Sequence, residues 1–477
     1  MTPDLGVAVP PAAELGSVHF VGIGGAGMSG IARILLARGV PVSGSDAKDS
    51  SGLAALRALG ARVHVGHDAG HLAHLGPGDT VVVSSAVRES NPELAAARAA
   101  GLRVLHRSQA LAAVMLGRRG VAVAGTHGKT TTTAMVTVAL QHCGADPSFA
   151  IGGELTEGGA NAHDGSGDVF VAEADESDGS FLLYHPQVAI VTNVEPDHLD
   201  HYGTPEAVAA AFDAFCDSVQ PGGVIVACAD DPGAARMAAA ARERRGAEVT
   251  VLTYGTAPDA DRVVEIDPNG TMHISGDQVT AWWRLQVPGR HNVLNAAAAW
   301  TAATSLGFGG GAVAEGLAGF SGTRRRFESR GFVAGVAVVD DYAHHPTEVA
   351  AVLRAAREVV GGGRVVAVFQ PHLYSRTRIF AAEFGAALGL ADEVVVMDVY
   401  AAREDPEPGV SGALVADAVP LPRERVAYVP SWSAVAAAVA GRARRGDLVL
   451  TIGAGDVTML APEIIAALAA PEGAASR

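Results

Sequence analysis

The residue types best suited to chemistry lie in the segment AGTHGKTTT at positions 124–132, which follows an apolar stretch and precedes a helical one. Glycines let backbone N–H groups approach a phosphate closely, and the N-terminus of the next helix favours negative charge. Lys129 can then reach the β and γ oxygens of a nucleotide, and the hydroxyl of Thr130 can bind Mg²⁺. The strict pattern has glycine where Val123 stands, so this loop is a variant. Lysine occurs only at positions 48 and 129, which argues against a plain glycine turn between a strand and a helix.

Carboxylates follow another apolar stretch, VFVA. They are Glu173, Asp175, Glu176 and Asp178. Ligands bind where the strands of a parallel sheet end, and Mg²⁺ prefers hard oxygen ligands. Glu173, the first after the strand, is therefore predicted to bind Mg²⁺. The later three are also candidates for this role, and the alternative for each is a solvated acidic loop. His198, in NVEPDHLDH at 193–201, follows the next apolar stretch, and its position predicts a metal or phosphate role.

A second glycine-rich segment, GIGGAGMSG at 22–30, also lies between a strand and a helix, with Asp46 further along the chain. This pattern predicts a diphosphate at the N-terminus of the helix. The loop alone leaves open whether the diphosphate belongs to NAD or to a UDP-sugar.

Further polar clusters lie downstream. In GRHNVLN at 289–295, the amides of Asn292 and Asn295 could face an adenine edge, or they could cap the helix. DDYAHHP at 340–346 and QPHLYSRTR at 370–378 each end a predicted strand. Together they bear His, Tyr and Arg side chains, which predicts an anion-binding rim; the alternative is a pair of exposed polar loops. The arginines at 324–326 could face a phosphate or solvent.

Parallel sheets must position these motifs, because short β-branched runs alternate with Ala- and Leu-rich helical stretches. The 477 residues predict three α/β domains. Their predicted bounds are 1–117, 118–322 and 323–477, with a linker at 116–120. The predicted strands are 18–23, 81–84, 104–106, 121–124, 169–172, 188–192, 224–227, 336–339, 365–369, 394–397 and 448–452. The predicted helices are 28–38, 92–100 and 292–305, and residues 263–287 are predicted to form an antiparallel meander. DDYAHHP is expected to end the first strand of the third domain.

Composition excludes several classes of protein. The net charge of −16 argues against binding to nucleic acid by phosphate neutralisation. Three cysteines without a CxxC pair provide neither a disulfide framework nor a zinc site. The N-terminus lacks the pattern of a signal peptide, and every apolar run is shorter than a membrane span. We therefore expect a cytoplasmic protein that is not inserted in a membrane.

Nearly the whole sequence resembles the Mur ligases. The resemblance rests on AGTHGKTTT, EADESDGSF, TNVEPDHLDHY, GRHNVLN, RRFE, DDYAHHPTE, QPHLYSRT and GAGD, which occur in the order and spacing of that family. It implies a Rossmann-like N-terminal domain for a UDP-sugar, a central P-loop-type ATPase and a C-terminal Rossmann-like domain for an amino acid. The N-terminal HFVGIGGAGMSGIA resembles the branch that adds L-alanine to UDP-N-acetylmuramate, as a monomer or a dimer, with ATP and Mg²⁺ as cofactors.

The resemblance also implies roles for individual residues. The expected catalytic residues are Lys129, Glu173, His198, His344 and Arg376, and the expected metal ligands are Thr130, Glu173 and His198. ATP is expected to contact Gly125, Thr126, His127, Gly128, Lys129, Thr130, Thr131, His291, Asn292, Asn295, Arg325 and Asp341. The UDP-sugar is expected to contact Gly24, Gly25, Ala26, Gly27, Met28, Ser29, Asp46, Ser85 and Arg107, and the amino acid Tyr342, His344 and Arg376.

Two departures from the family pattern carry information. Several later-acting Mur ligases have a carbamylated lysine shortly after the DH motif, but residues 204–218 contain no lysine, as expected for the alanine-adding branch. Some alanine-adding members have an arginine where Leu373 stands, and its absence leaves more of the expected contact to Arg376.

Alternatives from other classes stay open at this point. A nicotinamide-dependent oxidoreductase would use the first glycine loop but would leave GTHGKTTT unexplained. A nucleotide-binding switch protein would account for the central domain alone. A ligase that attaches an intact tripeptide to the same UDP-sugar has similar glycine loops, although HLYSRT and ESDGSF favour the alanine-adding branch.

Overall fold

The computed structural model describes residues 9–267, 269–276, 279–402 and 404–470. Its contacts divide the chain into two compact units. The first unit contains the chain up to Leu285 together with Leu294–Phe320, and the second unit contains Gln286–Val293 and the chain from Ser321 onward. Short 3-10 helices lie at Ala12–Glu14, Ala69–Leu72, Ser180–Leu183, Gly246–Glu248, Arg423–Arg425 and Asp456–Met459.

The N-terminal sheet of the first unit is parallel, in the strand order β3-β2-β1-β4-β5. Its strands are β1 (Val18–Val21), β2 (Val42–Asp46), β3 (Arg62–Val65), β4 (Thr80–Val83) and β5 (Arg103–His106), and its helices are α1 (Ala26–Ala37), α2 (Ser51–Ala58), α3 (Pro92–Ala99) and α4 (Arg107–Met115). β1 is buried along its whole length, as parallel strands covered on both faces are. Because the strand order reverses between β1 and β4, the loops after these strands frame the crevice where such sheets bind ligands.

The second sheet of the first unit has the order β15-β14-β13-β12-β11-β10-β6-β9-β7-β8. Its strands are β6 (Arg119–Ala124), β7 (Ser148–Ala150), β8 (Ala162–His163), β9 (Val169–Glu173), β10 (Val188–Val191), β11 (Val224–Cys228), β12 (Thr250–Gly255), β13 (Arg262–Ile266), β14 (Met272–Gly276) and β15 (Val279–Trp283). The helices of this stretch are α5 (Lys129–His142), α6 (Leu199–Tyr202), α7 (Pro205–Asp217), α8 (Pro232–Arg245), α9 (Arg290–Ser305) and α10 (Gly310–Ala318). β6 pairs in parallel with both β9 and β10, so the loops that follow these strands emerge at one edge.

The sheet of the second unit has the order β16-β17-β21-β18-β19-β20. Its strands are β16 (Glu328–Val333), β17 (Val336–Asp341), β18 (Val365–Phe369), β19 (Glu393–Val396), β20 (Val426–Tyr428) and β21 (Leu448–Ile452), and its helices are α11 (Pro346–Val360), α12 (Tyr374–Leu388), α13 (Gly412–Ala418), α14 (Trp432–Ala440) and α15 (Leu460–Ala469). Apolar side chains alternate between two cores, with Val365, Ala367 and Phe369 in one and Val366 and Val368 in the other. Both faces of β18 are therefore covered.

Several sequence predictions meet the structure here. The antiparallel pairing in 263–287 is confirmed, but these strands extend the second sheet, because β13 pairs in parallel with β12. Within the predicted meander, positions 268, 277 and 278 lie outside the described residues. The predicted linker 116–120 was wrong in part, because Arg119 and Gly120 already pair with β9. The prediction that DDYAHHP ends the first strand of its domain was wrong. The strand that ends there is β17, and β16 precedes it and pairs with it. No described helix is long and apolar enough to cross a membrane.

Candidate active site

The loop between β6 and α5, which the sequence predicts to bind phosphate, contains two glycines that its geometry requires. Gly125 has φ 135°, and a Cβ there would lie 2.0 Å from Thr192 Oγ1. Gly128 has φ 81°, and a Cβ there would lie 2.8 Å from Asn295 Oδ1. Because a positive φ favours glycine and neither position has room for a side chain, the loop holds its backbone N–H groups open at the start of α5. Thr131 is buried in the first turn of this helix.

Residues after β10 hold this loop in place. The N–H of His127 donates to Asn193 Oδ1 over 2.7 Å, and the hydroxyl of Thr192 donates to the carbonyl of His127 over 2.5 Å. Thr126 Oγ1 accepts from the N–H of Glu195 over 2.9 Å. The sequence motifs included Asn193 and Glu195 but did not indicate this role, because the contacts join residues more than 60 positions apart.

Lys129 and Thr130 each meet a carboxylate. Lys129 Nζ donates to Glu176 Oε1 over 2.9 Å and to the carbonyl groups of Gly125 and Thr126 over 2.7 and 3.1 Å. Burial alone would lower the pKa of this ammonium, but the charges of Glu176, Asp175 and Glu173 outweigh it and raise the pKa. Lys129 is therefore a fixed positive charge at the loop.

The residues expected to bind Mg²⁺ suit that ion. Thr130 Oγ1 lies 3.1 Å from Glu173 Oε1, and Glu173 Oε2 accepts from the N–H of Gly152 over 2.8 Å. A hydroxyl and a carboxylate are the hard oxygen donors that Mg²⁺ prefers. A Cβ at Gly152 would lie only 2.6 Å from Glu173 Oε2. The absence of a side chain at Gly152 therefore leaves the space that the Glu173 carboxylate occupies. The sequence analysis did not identify this glycine.

His198 lies at the same edge of the sheet. It precedes α6 with φ 53°, and its Nε2 lies 3.6 Å from Glu176 Oε1. Burial opposes protonation of the ring, but the bond to Glu176 and the charge of Asp197 outweigh it and raise the pKa of His198. Glu176 thus stands between Lys129 and His198. The sequence predicts Glu176 as a candidate oxygen ligand or part of an acidic loop, but it does not indicate the contacts with Lys129 and His198.

The glycine loop after β1 is ordered by Asp46. The N–H of Gly24 donates to Asp46 Oδ2 over 2.9 Å, and α1 begins at Ala26 after Gly25. Arg107, the first residue of α4, packs at this loop, since a Cβ at Gly27 would lie 3.0 Å from its guanidinium. Arg107 also donates to Asp175 Oδ2 over 3.2 Å. Met28 and Ser29 are buried in α1, whereas Ser85 lies exposed after β4.

A buried polar network that sequence reasoning missed supports the same loop. Glu93, fully buried on α3, accepts from Ser45 over 2.5 Å and lies 2.7 Å from His71 Nδ1 and 3.1 Å from His67 Nδ1. Burial opposes ionisation, but these bonds and the nearby His19 hold the pKa of Glu93 at about 2. The carbonyl of Ser45 accepts the N–H groups of residues 22 and 23, so Glu93 fixes the strand end that carries the loop.

In the second unit, polar side chains gather where β17 and β18 end. The guanidinium groups of Arg325 and Arg326 lie 4.8 and 5.1 Å from the centre of the Tyr342 ring. His344 Nδ1 lies 3.1 Å from the carbonyl of Tyr342 and 3.3 Å from Glu348 Oε2. Since both neighbours accept hydrogen bonds, Nδ1 carries the proton and Nε2 keeps its lone pair.

Electrostatics in this region favour a neutral histidine. Burial lowers the pKa of His344 to about 3, and the charge of Arg376 adds to that effect although Glu348 opposes it. Arg376 is buried in the first turn of α12. The charge of Arg376 thus acts on the ring of His344. An arginine buried beside a neutral imidazole can grip a carboxylate through its fork of N–H groups.

The remaining second-unit residues occupy the same sheet edge. Asp341 accepts from the N–H groups of Phe327 and Ala343, and burial raises its pKa to about 6. Arg325 donates to the carbonyls of Gly453 and Gly455, which places the GAGD segment beside it.

The residues expected to face adenosine divide between the two units. Asn295 lies in the first unit, against Gly128. His291 and Asn292 lie in the second unit, where burial lowers the pKa of His291 to about 4. Asn292 donates to the carbonyl of Pro288 over 2.7 Å. It does not cap the helix, because α9 already begins at Arg290.

Comparison with known proteins shows the family to which this chain belongs. Family models described as "Mur ligase family, catalytic domain", "Mur ligase middle domain" and "Mur ligase, glutamate ligase domain" match residues 17–119, 123–303 and 325–455. The chain belongs to the Mur ligase family. It is therefore an ATP-dependent ligase with the three-domain α/β fold expected from its sequence, while the predicted domain bounds remain a prediction.

Individual relatives and solved structures are similar to this chain over nearly its whole length. The UDP-N-acetylmuramate–L-alanine ligase of Kineococcus radiotolerans is 64% identical over 473 residues, which cover 98% of this chain and 100% of that protein. The enzyme of the same name from Saccharopolyspora erythraea is 59% identical and covers 97% of this chain and 95% of its own. A crystal structure of the Thermotoga maritima UDP-N-acetylmuramate-alanine ligase matches with a TM-score of 0.76 and 30% identity over 94% of this chain and 98% of that one. A murein peptide ligase from Psychrobacter arcticus matches with a TM-score of 0.70 and 26% identity over 95% and 98%.

Proposed function

We propose that this ligase joins L-alanine to the lactyl carboxylate of UDP-N-acetylmuramate in the synthesis of peptidoglycan precursors, with ATP and Mg²⁺. The observation that carries the proposal is the identity of 57–64% with relatives of that name over nearly the full chain. The geometry supports it, because Lys129 and Thr130 in the first turn of α5 contact the carboxylates of Glu176 and Glu173, respectively.

A carboxylate does not react with an amine at a useful rate until it carries a leaving group. In the proposed reaction the lactyl carboxylate attacks the γ-phosphorus of ATP, ADP departs, and an acyl phosphate forms. Both reactants are anions, so positive charge must offset their repulsion. Lys129 supplies this charge from α5. Mg²⁺, when held by Thr130, Glu173 and His198, would neutralise phosphate oxygens.

The second half of the reaction belongs to the amino acid. Arg376 holds the carboxylate of L-alanine through two parallel hydrogen bonds, which leaves the amine free to attack the acyl carbon. The ammonium of L-alanine must first lose a proton to solvent, after which the nitrogen lone pair adds to the acyl carbon. The tetrahedral intermediate then expels phosphate, and the nitrogen loses a second proton to give the amide. Tyr342 and His344 lie around this position, and the neutral His344 offers a lone pair on Nε2 without adding a charge that would repel the alanine ammonium.

The UDP-sugar is assigned to the glycine loop after β1. The open N-terminus of α1 and the guanidinium of Arg107 both favour a diphosphate. We assign residues 24–29, Asp46, Ser85 and Arg107 to this substrate, and Gly125–Thr131, His291, Asn292, Asn295, Arg325 and Asp341 to ATP.

One coupled assay tests the proposal. ADP release is measured with UDP-N-acetylmuramate, ATP and Mg²⁺ against L-alanine, other amino acids and the tripeptide, each in turn. We expect turnover with L-alanine to exceed turnover with the tripeptide, and Lys129→Met to abolish both. Preference for the tripeptide would instead assign the protein to the peptide-attaching branch, and NAD reduction without ADP release would make it an oxidoreductase.

A further inference from the structure

The ammonium of Lys129 is fully engaged by protein acceptors. An ammonium has three N–H bonds, and the described acceptors at Gly125, Thr126 and Glu176 account for all of them. A phosphate oxygen can therefore reach Nζ only if one of these acceptors gives way. The carboxylate of Glu176 is the one acceptor among the three with a charge, so its bond is the strongest of them.

Glu176 is firmly placed. Its side chain is 2% exposed, and its backbone carbonyl accepts from the hydroxyl of Tyr202 over 2.5 Å and from the N–H of Gly179 over 3.0 Å. Its Oε2 is buried without a hydrogen-bond partner among the described residues. An ionised oxygen left without a partner is costly, so a structural ion pair with Lys129 is an incomplete account of this residue.

The surroundings of Glu176 are acidic. Glu173, Asp175 and Glu176 all act on Lys129, while Asp175 also pairs with Arg107. A triphosphate without a cation would bring further negative charge against these carboxylates. A divalent cation at Thr130 and Glu173 would offset that repulsion.

We propose that Glu176 is a positioning residue. By binding the ammonium of Lys129, its carboxylate makes the binding of a nucleoside triphosphate depend on a divalent cation. Without the cation, the carboxylate competes with the triphosphate for the ammonium and repels it. With the cation bound, the triphosphate displaces the carboxylate of Glu176 from Lys129 Nζ. This inference rests on the proposed use of ATP.

Direct binding tests the inference without any turnover. ATP affinity is measured by calorimetry on the full chain with Mg²⁺ and with EDTA, for the wild type, Glu176→Gln, Glu176→Asp and Asp178→Asn. Glu176→Gln removes the charge but keeps the shape. Asp178→Asn removes a charge from the same loop that contacts Ser180 and His106 instead of Lys129.

We expect Glu176→Gln to bind metal-free ATP about tenfold more tightly than the wild type does, with a smaller change for Mg²⁺-ATP. Glu176→Asp, which keeps the charge, and the Asp178→Asn control should retain the cation dependence of the wild type. Equal metal-free affinity in Glu176→Gln and the wild type overturns the inference, and so does an equal gain in Asp178→Asn.

The two lysines allow a second readout. Protein labelled with ¹³C-lysine should give one side-chain signal from Lys129 and one from the exposed Lys48, which serves as an internal reference. We expect Glu176→Gln to shift the Lys129 signal alone, and Mg²⁺-ATP to shift it far more than metal-free ATP in the wild type. Equal shifts with and without Mg²⁺ overturn the inference. If the wild type binds no Mg²⁺-ATP at all, the proposed function fails with it, whereas normal Mg²⁺-ATP binding without an effect of Glu176→Gln overturns the inference alone.

Discussion

Gly152→Ala should damage the metal site by the size of one methyl group. The added carbon would lie 2.6 Å from Glu173 Oε2 and 2.8 Å from Oε1, whereas ordinary contact begins at 3.4 Å. The carboxylate must therefore retreat by about 0.8 Å, the difference between 3.4 and 2.6 Å. Gly152 does not have a positive φ, so alanine fits the backbone and the displacement of Glu173 is the main effect. A misplacement near 1 Å costs about 100-fold in rate.

The assay is ADP release over a series of Mg²⁺ concentrations, with thermal unfolding as a check on folding. We expect kcat/KM to fall by tenfold to about 100-fold at limiting Mg²⁺ and to recover in part at high Mg²⁺. Gly311→Ala is the matched control, because a Cβ there meets nothing within 4 Å. If Gly152→Ala keeps the wild-type rate and Mg²⁺ dependence, Glu173 does not hold the metal in the way described.

Other predictions concern the second unit and the N-terminal sheet. Arg376→Lys should raise KM for L-alanine about tenfold with little change in KM for ATP, since lysine lacks the planar fork; the reverse pattern in substrate titrations would move Arg376 to the nucleotide site. Burial and Arg326 lower the pKa of His291 from 6.5 to about 4, so unfolding takes up a proton below pH 6.5 and stability is lost as pH falls toward 4. His291→Gln should flatten that loss in urea unfolding at graded pH, and an unchanged slope would contradict the assignment. Glu93→Gln should lower the free energy of unfolding by about 2 kcal/mol, whereas the exposed Glu89→Gln should leave it unchanged; equal effects would refute the role of the buried network.

The local sequence pattern was enough to predict most of the strands and loops that carry the candidate site residues. β18 and β21 were predicted at their observed bounds, because continuous β-branched runs are typical of strands buried on both faces. The β6 loop was predicted as a phosphate turn, since its glycines are needed for a conformation encoded within a few residues. β2 and β3 were missed, because VSGSD and RVHV lack an apolar run, and their strand conformation comes from pairing with β1.

Only the tertiary structure decided which side chains meet. The sequence does not predict the pairing of Glu176 with Lys129 or the packing of Gly152 against Glu173, because these partners lie 47 and 21 positions apart in the chain. The sequence predicts Glu93 only as part of the helix 92–100. Its buried contacts with Ser45 and the histidines arise from the packing of α3 on the sheet. Residue types and local spacing determine what a segment can do, but the register of the strands and the packing of helices on them determine which partner each side chain has.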